Sequence, residues 1–124
     1  MPWQWSEFID LARELAERSD EASQRTAISR AYYAAFGVAR ALLISEGHEL
    51  ADDNSVHAAL WQAFHTSTDD RRYYIALDGR WLRANRNRAD YDEAVVKLPL
   101  AARQAVKKAQ AVISAIERLR SGSL

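Results

Sequence analysis

The 124-residue chain contains no cysteine and little proline or glycine. The absence of cysteine excludes disulfides, thiolate metal sites and thiol catalysis, and it is compatible with a reducing cytoplasm. Two prolines and four glycines interrupt the chain rarely. Such sparse punctuation favours long helices over many short strands joined by turns.

The chain also has no net charge and no long apolar run. Lysine and arginine together number 17, as do aspartate and glutamate, which argues against a general polyanion binder but allows a local charged patch. A bilayer span needs roughly 20 apolar residues, and the longest candidate, residues 31–44, is interrupted by Gly37 and Arg40. Residues 1–7 show no signal-peptide pattern. We therefore expect a cytoplasmic protein without membrane association.

The spacing of apolar residues predicts an all-α fold. Helices are expected at about residues 3 or 6 to 18, 20–46, 55–65, 70–87 and 98–120. The second is apolar on nearly every face, which is typical of the central helix of a bundle. In the fourth, Tyr74, Leu77 and Trp81 are predicted to face inward, and Gly79 to weaken or bend the helix. The expected architecture is an antiparallel bundle of four to five helices.

The length fits one domain with a single hydrophobic core. We expect this domain to cover residues 1–124, with its core between about residues 5 and 120 and a flexible tail at 121–124.

Two segments carry a resemblance to a known family. Residues 29–36 read Ser-Arg-Ala-Tyr-Tyr-Ala-Ala-Phe, followed at 39–43 by Ala-Arg-Ala-Leu-Leu, and residues 86–91 read Arg-Asn-Arg-Ala-Asp-Tyr. In this order and at this spacing they resemble the HEPN family, small helical bundles found in prokaryotic RNase toxins and in partners of nucleotidyltransferases. The resemblance covers about residues 5 to 120.

The resemblance implies a homodimer in a toxin–antitoxin or RNA-associated system, with a minimal nucleotidyltransferase antitoxin as a possible partner and no cofactor or metal. Many HEPN proteins are metal-independent endoribonucleases that use an arginine and a histidine separated by four to six residues. Arg86 matches this arginine, but Tyr91 stands where histidine is expected. Gly37 likewise stands where related proteins often carry histidine. Related systems also attach nucleotides to a tyrosine near this motif.

Arg86 and Tyr91 are therefore the candidate catalytic pair. RNA cleavage without a metal needs a base, an acid and a cation that stabilises the phosphorane. The guanidinium of Arg86 suits the cationic role. Tyrosine is a poor base because its pKa near 10 leaves about one part in a thousand ionised at pH 7. The sequence keeps the phosphate-binding half of the motif and loses its proton-transfer half.

The positive charge is concentrated between residues 71 and 88, where six arginines and one aspartate give a local net charge of +5. Arg83, Arg86 and Asn87 are three and four residues apart and should share one helix face. Together with Arg88 they form the predicted phosphate- or RNA-binding set. Tyr73, Tyr74 and Trp81, interleaved among the arginines, would stack on bases or pack in the core. The alternative is that the arginines pair with the acidic first helix.

Three further interpretations remain open. Arg86 and Asp90 could form a structural salt bridge, with Tyr91 packed on the core. Trp3 and Trp5 could anchor the interface of a non-catalytic adaptor dimer, or staple the first helix to the core.

The histidines of the third helix are not expected to bind a metal. His57 and His65 lie about 12 Å apart along the helix axis, which is too far to hold one ion. A surface or interface role is predicted for them and for Trp61, which lies between them.

Overall fold

A computed structural model describes residues 3–122 of the chain. It contains helices α1 (Ser6–Ala16), α2 (Glu21–Ser45), α3 (Ser55–His65), α4 (Asp70–Tyr91) and α5 (Leu98–Ser121). No strand occurs within residues 3–122. The predicted all-α bundle is confirmed, with five helices.

Helix α2 is the centre of the bundle and contacts each of the other four helices. Five alanines on it, from Ala27 to Ala39, are fully buried, and their small side chains let the neighbouring helices approach closely. By length and composition α2 could cross a membrane, but most of its apolar stretch is buried inside the fold. Its place at the centre of the core accounts for its apolar character.

The ends of α2 follow the polar and glycine signals in the sequence. The carboxylate of Asp20 accepts a hydrogen bond of 2.9 Å from the backbone N–H of Ser23, which satisfies one of the free donors of the first turn. At the other end Gly47 has a φ of 92°, a left-handed conformation that glycine adopts without steric cost. Four residues link α1 to α2, so these two helices run antiparallel.

Helix α4 turns a different face to the core from the one predicted. Tyr74 and Leu77 are exposed and Trp81 is only partly buried. The buried positions are Ile75, Ala76, Gly79, Leu82 and Ala89. The prediction was therefore wrong for Tyr74 and Leu77, whereas Trp81 packs against the core. It followed the largest apolar side chains, but the buried face of α4 also includes the small residues Ala76, Gly79 and Ala89.

Gly79 permits this close packing. A Cβ at position 79 would overlap the indole of Trp61, which is almost completely buried. Packing therefore explains the glycine at this position, since the missing side chain makes room for a large aromatic ring on α3.

Helix α4 also continues to Tyr91, four residues beyond the predicted end. The guanidinium of Arg25 on α2 donates hydrogen bonds of 2.8, 2.7 and 2.9 Å to the carbonyl oxygens of Ala89, Asp92 and Glu93. A cation is favourable at the negative end of the helix dipole. Residues 86–91 are thereby helical, and the motif is presented on a rigid element.

At the C-terminal end, α5 includes the first residue of the expected tail. Ser121 is the last residue of α5, and Gly122 closes the helix with a φ of 75°. Residues 123 and 124, which complete the expected tail, lie outside the described residues.

Candidate nucleic-acid interface

A polar hollow of about 290 Å³ lies beside the C-terminal half of α4. We call it the arginine hollow; its lining residues are Tyr33, Asn54, His57, Arg83, Arg86, Asn87 and Tyr91. The structure thus brings together four of the five predicted site residues. Arg88 is exposed and lies outside the hollow, because a residue two positions from Arg86 projects from another side of the helix.

Arg86 is held by several contacts. Its Nε lies 2.9 Å from Oδ2 of Asp90, and its Nη1 donates a 3.0 Å hydrogen bond to Oδ1 of Asn87. The guanidinium carbon also lies 5.2 Å from the ring centre of Tyr33 and 5.8 Å from that of Tyr91, within the range of cation–π attraction. These contacts orient the guanidinium.

The predicted ion pair between Arg86 and Asp90 is therefore present, but its companion prediction was wrong. Tyr91 does not pack on the core, because its side chain is 76% exposed. The Arg86 Nε is buried and makes no hydrogen bond within residues 3–122, despite its short distance to Asp90. The contact is a charge pair without good hydrogen-bond direction.

Arg83 is the unpaired cation of the hollow. It is partly buried, and across the described part of the chain it has no hydrogen bond or ion pair. A guanidinium carries five donors, so Arg83 can offer hydrogen bonds to an incoming anion without first releasing a protein partner.

His57 enters the same hollow from α3, a placement that the sequence reasoning missed. Its ring stacks on Phe36, with ring centres 4.5 Å apart, and its Nδ1 lies 2.5 Å from the hydroxyl oxygen of Tyr32. Tyr32 in turn accepts a 3.2 Å hydrogen bond from Nε1 of Trp61. The predicted surface role fails for Trp61, which is buried, and His57 forms a wall of the hollow.

The hydrogen-bond chain selects one tautomer of His57. The indole of Trp61 can only donate, so the oxygen of Tyr32 accepts from it. The single proton of the buried Tyr32 hydroxyl is then satisfied if it is donated to Nδ1 of His57. In this arrangement the neutral imidazole carries its own proton on Nε2, which makes that nitrogen a donor.

The electrostatics keep this ring uncharged. Burial lowers the pKa of His57, and the positive charges of Arg83 and Arg86 lower it further. Burial also raises the pKa of Tyr32 to about 12, so its hydroxyl keeps its proton. At neutral pH the arginine hollow therefore contains two guanidinium groups, a neutral imidazole and the hydroxyl and amide groups of its other lining residues.

No local pattern in the sequence joins His57 to Arg86, because 28 residues separate them and the contact depends on how α3 packs against α4. One indirect signal was available. Because the motif contains no histidine, each of the three histidines elsewhere in the chain was a candidate to lie beside Arg86.

The arginines of the N-terminal half of α4 have protein partners. Arg71 pairs with Asp69, and Arg72 with Glu46, the residue that follows α2. Arg80 hydrogen-bonds His65 and Gln62 on α3. None of these partners belongs to α1, so the expected pairing with the acidic first helix was wrong.

A second hollow, of about 380 Å³, adjoins the first. Trp3, Trp5 and Phe8 line it on one side, and Tyr33 and Arg86 belong to both hollows. Trp5 is partly buried and occupies the space that a side chain at Gly37 would need. The absence of histidine at position 37 thus coincides with a tryptophan that fills the same place.

No group of three or more histidine, aspartate or glutamate side chains within residues 3–122 is arranged to hold a metal ion. Comparison with curated proteins and with solved structures found no match. A family model described as HEPN domain matches residues 6–119, which is nearly the whole chain. The motifs, the helical bundle and this match together establish that the chain belongs to the HEPN domain family.

Proposed function

We propose that this HEPN-domain protein binds single-stranded RNA through the arginine hollow. The observation that carries the proposal is the meeting of Arg83 and Arg86 in one hollow, beside the neutral His57. Guanidinium groups bind phosphate oxygens with two parallel hydrogen bonds. The Nε2–H of His57 and the amide of Asn87 add neutral donors for the same phosphate.

The proposal includes the assembly and setting that the family resemblance implies. We propose a cytoplasmic homodimer in a toxin–antitoxin or RNA-associated system, with a minimal nucleotidyltransferase as its protein partner. Two copies of the arginine hollow would then face one strand or one partner. Sedimentation analysis of the purified protein tests the dimer, and a monomer at all concentrations contradicts it.

The binding test compares two arginines of the same helix. A labelled RNA strand is titrated with wild type, Arg86→Ala and Arg71→Ala, and binding is followed by fluorescence anisotropy. A lost charge-assisted hydrogen bond costs roughly 1.5–3 kcal/mol, so Arg86→Ala should bind at least tenfold more weakly. Arg71→Ala should bind like wild type, because Arg71 is paired with Asp69 at the other end of α4.

Arg83→Ala is the second variant, because Arg86 also supports the fold through Asp90 and two aromatic rings. Removal of Arg83 breaks no hydrogen bond or ion pair in the described chain. If both variants bind RNA as tightly as wild type, the arginine hollow is not the binding site.

Cleavage is a second candidate function. The position of His57 in the hollow favours cleavage with His57 as the base over cleavage by Arg86 and Tyr91 alone. His57 at Nε2 would take the proton of a 2′-hydroxyl, whose oxygen then bonds to phosphorus. The bond from phosphorus to the 5′-oxygen breaks, and the Tyr91 hydroxyl protonates the leaving oxygen. His57 then releases its extra proton to water and Tyr91 takes one up from water, which restores both groups. Arg83 and Arg86 would stabilise the charge on the phosphorane.

The hydrogen-bond chain opposes this step. For Nε2 to accept a proton, His57 must hold its own proton on Nδ1 and donate it to Tyr32, which leaves the Tyr32 proton without a partner. An unsatisfied buried donor costs about 1–3 kcal/mol, or roughly five- to 150-fold in rate. We therefore place RNA binding before cleavage and expect any cleavage to be slow.

Incubation of a labelled RNA pool with protein in EDTA tests the second candidate. Slow cleavage that is lost in His57→Gln and in Arg86→Ala would support it. If Tyr91→Phe abolishes cleavage while His57→Gln retains it, the pair of Arg86 and Tyr91 is the catalytic one. No cleavage by wild type over long incubation leaves binding as the function.

A further inference from the structure

The phosphate-binding proposal assigns no role to the second hollow, which adjoins the arginine hollow. Its aromatic walls come from Trp3, Trp5 and Phe8 before and on α1, and from Tyr33 on α2. We call it the aromatic hollow. Its volume of about 380 Å³ falls within the range of roughly 300–1,000 Å³ in which proteins hold small organic ligands.

Trp3 is the feature that packing does not explain. Its side chain is 52% exposed, although a tryptophan gains most from burial. Its ring meets Phe8 at a centre distance of 4.9 Å and an angle of 71°, and Trp5 at 6.0 Å and 79°. These edge-to-face contacts orient the indole while about half of its surface stays open to solvent.

Two guanidinium groups complete the walls. Arg30 lies 4.8 Å from the ring centre of Phe8 and 5.2 Å from that of Tyr33, and Arg86 lies 5.2 Å from the same Tyr33 ring. Unpaired bases stack both on aromatic rings and on guanidinium planes. The hollow therefore offers flat, apolar and cationic surfaces together, which suit a base better than an aliphatic side chain.

The two hollows are adjacent because Tyr33 and Arg86 line both. A strand whose phosphate lies against Arg86 would carry a neighbouring base within reach of the aromatic hollow. Asp90 also lines this hollow, and its carboxylate can accept from the N–H groups on a base edge.

We propose that the aromatic hollow is a nucleobase subsite, which receives one unpaired base of the RNA strand whose phosphate is bound in the arginine hollow. This inference rests on the proposed function, since it assigns the base that accompanies the bound phosphate. Base stacking on an aromatic side chain makes binding selective for unpaired strands and tolerant of sequence.

The test uses short 2′-O-methyl RNA, which lacks a free 2′-hydroxyl and resists cleavage, and the same strand with abasic spacers at every position. Wild type should bind the complete strand about tenfold more tightly than the abasic strand, in line with stacking of one base. Trp3→Ala should remove this preference and leave affinity for the abasic strand unchanged, while Trp3→Phe should keep most of it. Tyr74→Ala is the matched control, because Tyr74 is an exposed aromatic residue on the far half of α4.

The outcomes separate this inference from the function on which it rests. Equal binding of both strands by wild type overturns the base subsite and leaves phosphate binding intact. Equal loss of both strands in Trp3→Ala also overturns it, because Trp3 would then act through the fold. Failure of wild type to bind either strand overturns both proposals.

Discussion

The two halves of α4 have similar compositions and different uses. Each half carries three arginines, but in the N-terminal half Arg71, Arg72 and Arg80 contact acidic or polar side chains of the protein. In the C-terminal half Arg86 pairs with Asp90 and lines the arginine hollow. Beside it, Arg83 makes no hydrogen bond or ion pair among the described residues. The same residue type thus pairs within the protein at one end of α4, whereas at the other end Arg83 makes no hydrogen bond to the described residues. Charge density alone therefore does not distinguish the arginines that pair within the fold from those that line the arginine hollow.

The largest expected effect is a loss of stability when Arg25, which holds the C-terminal end of α4, is replaced. Arg25→Ala removes three hydrogen bonds from a charged donor to carbonyls at the end of α4. Hydrogen bonds to charged groups contribute about 1.5–3 kcal/mol, and water can replace part of the loss, so we expect destabilisation by roughly 2–4 kcal/mol. Urea unfolding followed by circular dichroism measures it.

Arg18→Ala is the control for the Arg25 variant. Arg18 pairs with Glu14 on the surface of the protein, and exposed pairs of this spacing contribute about 0.3–0.5 kcal/mol. If both variants lose the same stability, Arg25 does not anchor α4.

The second expected effect is a loss of stability when Gly79, at the boundary between the two halves of α4, is replaced. Gly79→Ala introduces a Cβ into the space of the Trp61 indole, and overpacking of a core typically costs about 1–3 kcal/mol. The higher helix propensity of alanine offsets roughly 1 kcal/mol of this. We expect a net loss of stability in thermal unfolding, whereas Ala84→Ser, at an exposed position of α4, should change little. A more stable Gly79→Ala protein would show that α3 can shift to make room.

The third prediction compares two arginines within the C-terminal half of α4. Arg83 lines the arginine hollow and Arg88, five residues later on the same helix, does not. Arg83→Ala should weaken RNA binding about tenfold and reduce the slope of log K against log salt by about 0.7, the value for one phosphate of a single strand. Arg88→Ala should change both much less, and equal effects would mean that binding follows overall charge.

The sequence predicted the features that depend on local chemistry. The five helices follow from the spacing of apolar residues, and Arg83, Arg86 and Asn87 share a face because of helix geometry. Features that depend on packing between helices were not predictable. The approach of α3 to α4 at Gly79, the arrival of His57 beside Arg86 and the support of α4 by Arg25 each join residues more than 15 positions apart.

The smallest expected effect is a pH dependence that His57 gives to stability. Its pKa is lowered in the folded protein by burial, Arg83 and Arg86, whereas an unfolded histidine titrates near about 6.5. Below that pH the unfolded chain binds a proton that the folded protein resists, so stability falls as pH decreases from 7.5 through this range. His57→Gln should show a weaker pH dependence, and His48→Gln, at an exposed position, should behave like wild type.

The same proton should have the opposite effect on RNA affinity. Protonation of His57 adds a third positive charge to the arginine hollow, so RNA affinity should rise over the pH range in which stability falls. His57→Gln should reduce both trends and His48→Gln neither, in unfolding curves and binding titrations at matched pH values. If affinity rises at low pH equally in wild type and His57→Gln, other groups cause the change and His57 does not face the bound strand. If only the stability trend depends on His57, the ring belongs to the packing between α2 and α3 and does not contact the bound strand.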